Sequence, residues 1–395
     1  PRGVRIARGP RRGAAWLVAC AALASAATVQ APTCWAEDFG YTRELCCPRE
    51  FDPVGNITCW WDGVKAGLMM SRGEYNYLKC CNYSVFPRLR DFLEELMVRA
   101  ALMPYLVSSR IVLQLEAAGL LPSRFAVNFG ASDGTARGDD PVVPLYLEHG
   151  FAGLAVEADA DQASILRRRM PAIVHTRAVG VTPWNVKDLL AHAEAPPEPA
   201  LLKVDIDSFD CAVLLAALRC SRPLVVQVEV NSEIPFPLMF GVHFSPDFQH
   251  SQASGREHGW FSRGFFGCSA ALAAELARPF GYDVVGQAGA HDLLLVRRDM
   301  RLALQAHMPD QPLFAYTPAG AAQAIGVRSM RSYFGTGVGA LWLFLAGTEA
   351  PERLLGVVRA GVEASCRESQ GAAERGGCSM SYTLALSADA FRALY

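Results

Sequence analysis

The pattern of apolar and polar positions changes several times along this chain of 395 residues. Between residues 124 and 298, short apolar runs alternate with segments whose apolar residues recur every three or four positions. Such alternation is typical of βαβ units and a parallel sheet. The predicted strands are 125–129, 153–157, 172–175, 200–206 and 224–230, and the predicted helices are 144–149, 160–169, 184–192 and 209–218. Because these strands are almost continuously apolar, we expect both faces of the sheet to be covered.

Helical periodicity flanks this region. An amphipathic helix is predicted from residue 85, and a second one, after the break at Pro104, over 105–118. After a long irregular stretch, a helix at 268–277 precedes strands at 282–286 and 291–296, which are predicted to pair antiparallel. The chain therefore divides into a helical lead-in at 85–122, an α/β domain at 123–300 and a C-terminal region at 301–395 to which the sequence assigns no role.

Residues 1–30 have the pattern of a secretory signal. Five arginines precede an apolar run over 14–27 that ends in small residues. This run is shorter than the roughly 20 residues that a membrane-spanning helix needs. A cleaved signal peptide is therefore favoured over a signal anchor, and a membrane is expected as a partner only if the segment is an uncleaved anchor.

A cysteine-rich module is predicted at 31–84. It holds six of the twelve cysteines, namely Cys34, Cys46, Cys47, Cys59, Cys80 and Cys81. So small a piece directly after a signal-like segment favours disulfides, whose pairing the sequence does not choose. Zinc is the alternative, but adjacent cysteines converge poorly on one tetrahedral ion. With glycosylation sequons at Asn56 and Asn82, the module favours the secretory lumen or secretion. Its tryptophans and tyrosines form either a small core or a carbohydrate-binding surface.

The charge balance is nearly neutral, with 37 basic against 39 acidic residues and a formal net charge of -2. Such a balance provides no strong positive field, so no nucleic-acid partner is expected. The partner must be inferred from a site, and a small molecule or glycan is the class we expect.

Three motifs place chemistry at the predicted carboxyl edge of the sheet. The strand at 125–129 runs into a loop with Gly130, Ser132 and Gly134, where glycines permit a tight turn and the close approach of a ligand. Glu157 ends the next strand, 27 residues after Gly130, where an acidic side chain can accept hydrogen bonds from ribose hydroxyls. Asp205 and Asp207 follow the fourth predicted strand. Asp207 is alternatively a cap of the helix that follows it.

The ordered set of these segments resembles the FkbM-type S-adenosylmethionine-dependent methyltransferases over about residues 124–298. The segments that carry the resemblance are Asn128, Gly130 and Gly134, then Glu157, then Asp205 and Asp207, then residues 228–235. The resemblance implies a Rossmann-like methyltransferase sheet, mostly parallel with an antiparallel final strand, and S-adenosylmethionine as cofactor. It also implies cofactor contacts at Asn128, Gly130, Ser132 and Gly134, ribose binding by Glu157 and a sheet-edge role for Asp205. Family members commonly carry aspartate where Asn128 stands.

Methyl transfer to a hydroxyl needs alignment of the acceptor and a base for its proton. His243, His250 and His258 follow the fifth strand, and His243 is the first choice because it lies nearest to that strand. Asp205 and Asp207 are alternatives as base or as ligands of a divalent metal. The function that follows is O-methylation of a glycan or small hydroxylated acceptor in the secretory pathway.

Two other functions compete with this one. Asp205-Ile206-Asp207 has the Asp-x-Asp pattern with which metal-dependent glycosyltransferases hold an ion against sugar-nucleotide phosphates. That alternative leaves the glycine loop and Glu157 unexplained. The other is a catalytically inactive methyltransferase-like binding protein.

Overall fold

A computed structural model provides the structure of the chain. It describes residues 103–104, 106–135, 140–232, 234–244, 267–288, 291–310, 313–322, 324–325, 350–356, 358–359, 362 and 382–392. The predicted signal segment, the cysteine module, the helix from residue 85, His250 and His258 lie outside these described residues and stay predictions.

The described core is a seven-stranded sheet. Its strands are β1 (Phe125–Phe129), β2 (Ala152–Glu157), β3 (Val174–Ala178), β4 (Leu201–Val204), β5 (Val225–Glu229), β7 (Tyr282–Ala288) and β8 (Asp292–Arg297). Their order is β3-β2-β1-β4-β5-β8-β7. The first five strands are parallel, and β8 runs antiparallel to both β5 and β7. The prediction of a mostly parallel, Rossmann-like sheet with an antiparallel final strand is confirmed.

Helices cover both faces of the sheet, as the apolar strands predict. They are α1 (Ser108–Ala117), α2 (Val142–Leu147), α3 (Ala160–Arg169), α4 (Val186–His192), α5 (Asp210–Cys220), α6 (Ala270–Ala277), α7 (Arg298–His307) and the short α8 (Asp389–Arg392). Side chains of α1, α2, α3 and α7 form the apolar cluster on one face. Those of α4, α5 and α6 pack on the other. Among the described residues, no helix is long and apolar enough to cross a membrane.

Local capping explains where helices start and stop. The carboxylate of Asp159 accepts hydrogen bonds from the backbone N–H groups of Asp161 and Gln162, so α3 begins at the predicted residue. Gly119, with φ of +69°, follows α1, and the N–H of Leu120 returns to the carbonyl of Leu115. This Schellman arrangement ends α1 where the sequence predicts the stop.

Most of the remaining differences between the predicted and the observed elements shift an end of an element by a few residues. The strand predicted at 172–175 begins at Val174, because its N–H closes a turn onto the carbonyl of Pro171. The stretch predicted as irregular contains β6 (Met239–Val242), which pairs antiparallel with β9 (Tyr382–Ala385). The C-terminal region, to which the sequence assigned no role, therefore contributes a strand.

A disulfide links Cys211 in the first turn of α5 to Cys268, two residues before α6. The two cysteines are 57 positions apart and both are buried. The bond holds the start of α5 against the residues that lead into α6.

Candidate functional site

The carboxyl ends of the parallel strands form one edge, and the strand order reverses between β1 and β4. In open α/β sheets, ligands bind in the crevice at such a reversal. Gly130 follows β1 and Asp205 follows β4, and a Cβ on Gly130 would lie 1.6 Å from the carbonyl oxygen of Asp205. The two loops therefore meet backbone to backbone, and residue 130 must be glycine.

The glycine loop is tightly turned. Gly130, Ser132 and Gly134 all have positive φ, at +82°, +50° and +69°. A Cβ on Gly134 would lie 2.8 Å from side-chain atoms of Leu166 and Met170 in and just after α3. Close contacts within the protein and positive φ therefore favour glycine at both positions. The cofactor contacts that the resemblance implies for Gly130 and Gly134 stay predictions.

Glu157 fixes this loop from the end of β2. Its Oε2 accepts a hydrogen bond from the N–H of Ser132, and its Oε1 accepts one from the N–H of Asp159, both at 2.8 Å. Each carboxylate oxygen has a second lone pair. The side chain is therefore held in one orientation with acceptor capacity remaining at the edge of the sheet.

Asn128 lies one layer below the loop. Its side chain is fully buried, and its Nδ2 donates to Asp140 Oδ2 at 2.8 Å. Asp140 Oδ1 in turn accepts from the N–H of Val142 at the start of α2. An aspartate at position 128 would face the carboxylate of Asp140, so asparagine suits this neighbour. Asn128 Oδ1 is buried and meets no hydrogen-bond partner within the described ranges.

Lys203 connects this layer to the acidic edge. Its buried ammonium lies 2.7 Å from Asp205 Oδ2 and 4.0 Å from Asp140 Oδ2. Burial alone would lower the pKa of Lys203, but the charges of Asp205 and Asp140 outweigh burial and raise it. The lysine is therefore a fixed positive charge under the crevice.

Three carboxylates converge at the ends of β4 and β5. Oxygens of Asp205, Asp207 and Glu229 all lie within 4.8 Å of one another. Glu229 Oε2 is buried and has no hydrogen-bond partner in the part of the chain that the structure describes. Burial, followed by the charges of Asp205, Asp210 and Asp207, raises the pKa of Glu229 well above its ordinary value. Sequence analysis did not select Glu229, because its burial beside other acids depends on the pairing of β5 with β4 and β8.

The helix-cap interpretation of Asp207 is wrong. Helix α5 begins at Asp210, and Phe209 is its N-cap residue. Asp207 instead lies in the preceding turn, exposed and with φ of +55°.

Asp210 holds that turn. Its two oxygens accept from the N–H groups of Ile206 and Ser208 at 2.8 and 3.1 Å. Burial raises the pKa of Asp210 to about 7, although these two hydrogen bonds oppose the shift. Asp210 lies four residues after Ile206, a spacing at which an aspartate can accept from the backbone N–H of the preceding turn. This spacing was the sequence signal that could have revealed Asp210.

Two histidines lie in the described part of this region. The predicted base, His243, follows β6, and its Nε2 lies 2.8 Å from Thr383 Oγ1 in β9. His291, which the sequence did not indicate, precedes β8 at the carboxyl edge, where its carbonyl accepts from the N–H of Val230. Its Nδ1 lies 2.9 Å from Ser232 Oγ. Burial lowers the pKa of both imidazoles.

Aromatic rings border the acidic edge. Phe209, two residues after Asp207, packs edge-on against Phe244 with ring centroids 5.0 Å apart. Phe244 packs in the same way against Trp184, at 4.7 Å. Trp184 lies in the loop after β3 and is 69% exposed. The three rings therefore form a row from Phe209, in the segment after Asp207, to the exposed ring of Trp184.

These features define an α/β domain of the Rossmann-like class with an acidic crevice at its strand reversal. No protein-family model matches the chain, and no curated protein sequence matches it. Among solved structures, it is similar to the O-methyltransferase from Bacillus cereus in complex with SAH, with 20% identity and a TM-score of 0.24. That match covers 35% of this chain and 65%, just under two thirds, of the other.

The chain is also similar to the [4+2]-cyclase SpnF, with 15% identity and a TM-score of 0.27. This match covers 58% of this chain and 76% of the cyclase. At such TM-scores, the assignment of the fold rests on the strand order and register of this chain itself.

Proposed function

We propose that residues 123–300 form an S-adenosylmethionine-dependent methyltransferase domain of the FkbM type. The observation that carries the proposal is Glu157, whose carboxylate is fixed at the end of β2 by the N–H groups of Ser132 and Asp159. Its remaining lone pairs suit the two hydroxyls of a ribose. The strand reversal beside it is the usual position of a nucleoside ligand in such sheets.

The residues present fit this cofactor. Glu157 would hold the ribose, and the loop of Gly130, Ser132 and Gly134 would border it. Asn128 is buried, so its side chain would act on the cofactor only through Asp140 and the loop above it. When bound, S-adenosylmethionine supplies a methyl group already activated for transfer.

The acceptor we propose is a glycan or another small hydroxylated molecule. Support comes from the pairing of carboxylates, which accept hydrogen bonds from hydroxyls, with the exposed ring of Trp184, which suits the apolar face of a sugar. His243 and His291 are the candidate bases. Burial lowers the pKa of both imidazoles and so favours the neutral form that a proton acceptor requires.

The proposed setting is the secretory lumen, with residues 1–30 as a signal peptide or anchor and 31–84 as a disulfide-rich module. Its support is the sequence pattern of both segments and the disulfide between Cys211 and Cys268. Structural disulfides persist in oxidising compartments.

Calorimetric titration of the purified full chain with S-adenosylmethionine tests the cofactor. We expect saturable binding that Glu157→Ala abolishes while circular dichroism shows a retained fold. Asp161→Asn, which neutralises an exposed carboxylate in the first turn of α3, is the matched control and should bind normally.

No binding to the wild-type chain would overturn the proposal. So would manganese-dependent binding of a sugar nucleotide in place of S-adenosylmethionine, which would instead support the glycosyltransferase alternative.

A further inference from the structure

The ends of β4 and β5 bring three acidic side chains together beside one buried lysine. Asp205, Asp207 and Glu229 present oxygens within 4.8 Å of one another. Lys203 contacts this set through Asp205 at 2.7 Å, and Asp140 lies 4.0 Å from the same ammonium.

Glu229 is the second observation. Its Oε2 is buried and has no hydrogen-bond partner among the described residues, yet a carboxylate oxygen of Glu229 lies within 4.8 Å of one from each aspartate. A buried polar atom without a partner costs about 1–3 kcal/mol, more when it is charged, so a buried acceptor aimed at other carboxylates points to a missing positive ligand. Asp292 lies opposite Glu229 in the register of β5 and β8, which adds to the negative field.

We infer that Asp205, Asp207 and Glu229 form a binding site for one divalent cation, of the hard class that includes Mg²⁺ and Mn²⁺. All three residues offer carboxylate oxygens, the ligands that such ions prefer. Metal–oxygen distances are about 2.0–2.6 Å, so oxygens within 4.8 Å of one another can share one ion.

The exposure of the three residues suits an ion that also meets substrate. Glu229 anchors the site from below, Asp205 is half-buried and Asp207 is exposed. Three protein ligands leave coordination positions for water or for an acceptor hydroxyl. The inference of a metal site does not depend on the proposed methyl transfer, because Glu157, the residue that carries that proposal, is not among the three ligands.

Titration of the chelator-treated full chain with Mn²⁺, followed by the electron paramagnetic resonance signal of the free ion, tests the inference. We expect one saturable Mn²⁺ site. Glu229→Gln and Asp207→Asn should each weaken the binding of Mn²⁺ to that site by about tenfold or more. Asp207 is exposed, so its variant keeps the test informative if Glu229→Gln fails to fold. Glu148→Gln, which removes an exposed carboxylate after α2, should bind Mn²⁺ like the wild type.

Absence of saturable Mn²⁺ binding by the wild-type chain would overturn the inference. Binding that survives both substitutions at full strength would also overturn it, because the ion would then lie elsewhere. Titration with S-adenosylmethionine in the presence of chelator separates the two hypotheses. If S-adenosylmethionine does not bind in that titration while Mn²⁺ still binds in its own, the proposed function is removed and the metal site stands.

Discussion

The backbone N–H of Ser132 donates to Glu157 Oε2 at 2.8 Å, which joins the loop after β1 to the end of β2. The other oxygen of the same carboxylate accepts from Asp159, which also caps α3. The residue proposed to hold a ribose therefore also fixes the loop beside it. Substitutions at Glu157 must be judged by stability as well as by binding.

Glu157→Gln is expected to lower the free energy of unfolding by about 1–3 kcal/mol, because an amide N–H₂ replaces one oxygen that faces a backbone donor. Chemical denaturation measures the change. Asp161→Asn loses only a favourable charge near the start of α3 and should cost under about 1 kcal/mol. A Glu157→Gln chain as stable as the wild type would show that the carboxylate does not hold the loop.

Gly130→Ala is expected to destabilise the fold by several kcal/mol, since its Cβ would meet the carbonyl oxygen of Asp205 at 1.6 Å and its φ is +82°. Gly119→Ala is the matched control. That glycine has φ of +69° and nothing within 4 Å of its Cβ, so only the cost of a left-handed alanine, about 1 kcal/mol, should appear. Thermal unfolding of both variants compares them. Equal losses would show that β4 yields to the new methyl group.

The elements that could be predicted best from the sequence are those whose signals are local. The buried parallel strands are continuous apolar runs, and α3 begins at Ala160 because Asp159 is its cap. Strand β6 was missed because its partner, β9, lies about 140 positions away, and an apolar run of four residues does not by itself distinguish a strand from another element. Non-local pairing of this kind depends on tertiary packing.

The candidate site divides in the same way. Glu157, Asp205 and Asp207 could be found because each follows a predicted strand, and such positions share one edge. Glu229 and His291 could not be selected, because their significance depends on β8 entering between β5 and β7. That arrangement brings the start of an antiparallel strand to the carboxyl edge of the parallel ones.

Loss of the disulfide between Cys211 and Cys268 is expected to cost about 2–5 kcal/mol, because the bond closes a loop across 57 positions and so restricts the unfolded chain. Denaturation of Cys268→Ser measures the loss. Cys220→Ser is the control, since that thiol is free and exposed at the end of α5, and its change should stay within about 0.5 kcal/mol. Alkylation of the unreduced, unfolded chain should label Cys220 and leave Cys211 and Cys268 unlabelled. Labelling of all three would contradict the pairing.

Asp283 in β7 binds α7 through Arg298 and Arg301, at 2.8 and 3.0 Å. Burial alone would raise the pKa of Asp283, but hydrogen bonds from the two arginines outweigh burial and lower it. A lowered folded-state pKa means that this stabilisation is complete above the unfolded value of about 3.9 and is lost as the pH falls through the folded value. Asp283→Asn should therefore cost about 1–2 kcal/mol at pH 7, and the difference from wild type should shrink below about pH 4. Denaturation curves at both pH values check this, and a difference that is independent of pH would contradict it.

Trp184 is expected to contact the acceptor and not the cofactor, because its ring is 69% exposed and is supported edge-on by Phe244 at the acidic edge. With the proposed glycan acceptor, Trp184→Ala should reduce binding of the full chain to oligosaccharides on a glycan array by about tenfold, equivalent to about 1.4 kcal/mol of stacking. Phe314→Ala is the control, because it removes another ring that is 61% exposed. Phe314 lies two residues before Tyr316, which forms a bridge to β7, and its substitution should leave glycan binding unchanged. Calorimetry with S-adenosylmethionine should give the same affinity for Trp184→Ala as for the wild type. If Trp184→Ala instead weakens cofactor binding and leaves glycan binding unchanged, the ring lies against the nucleoside. The acceptor surface would then have to lie on the side of His291 and Ser232.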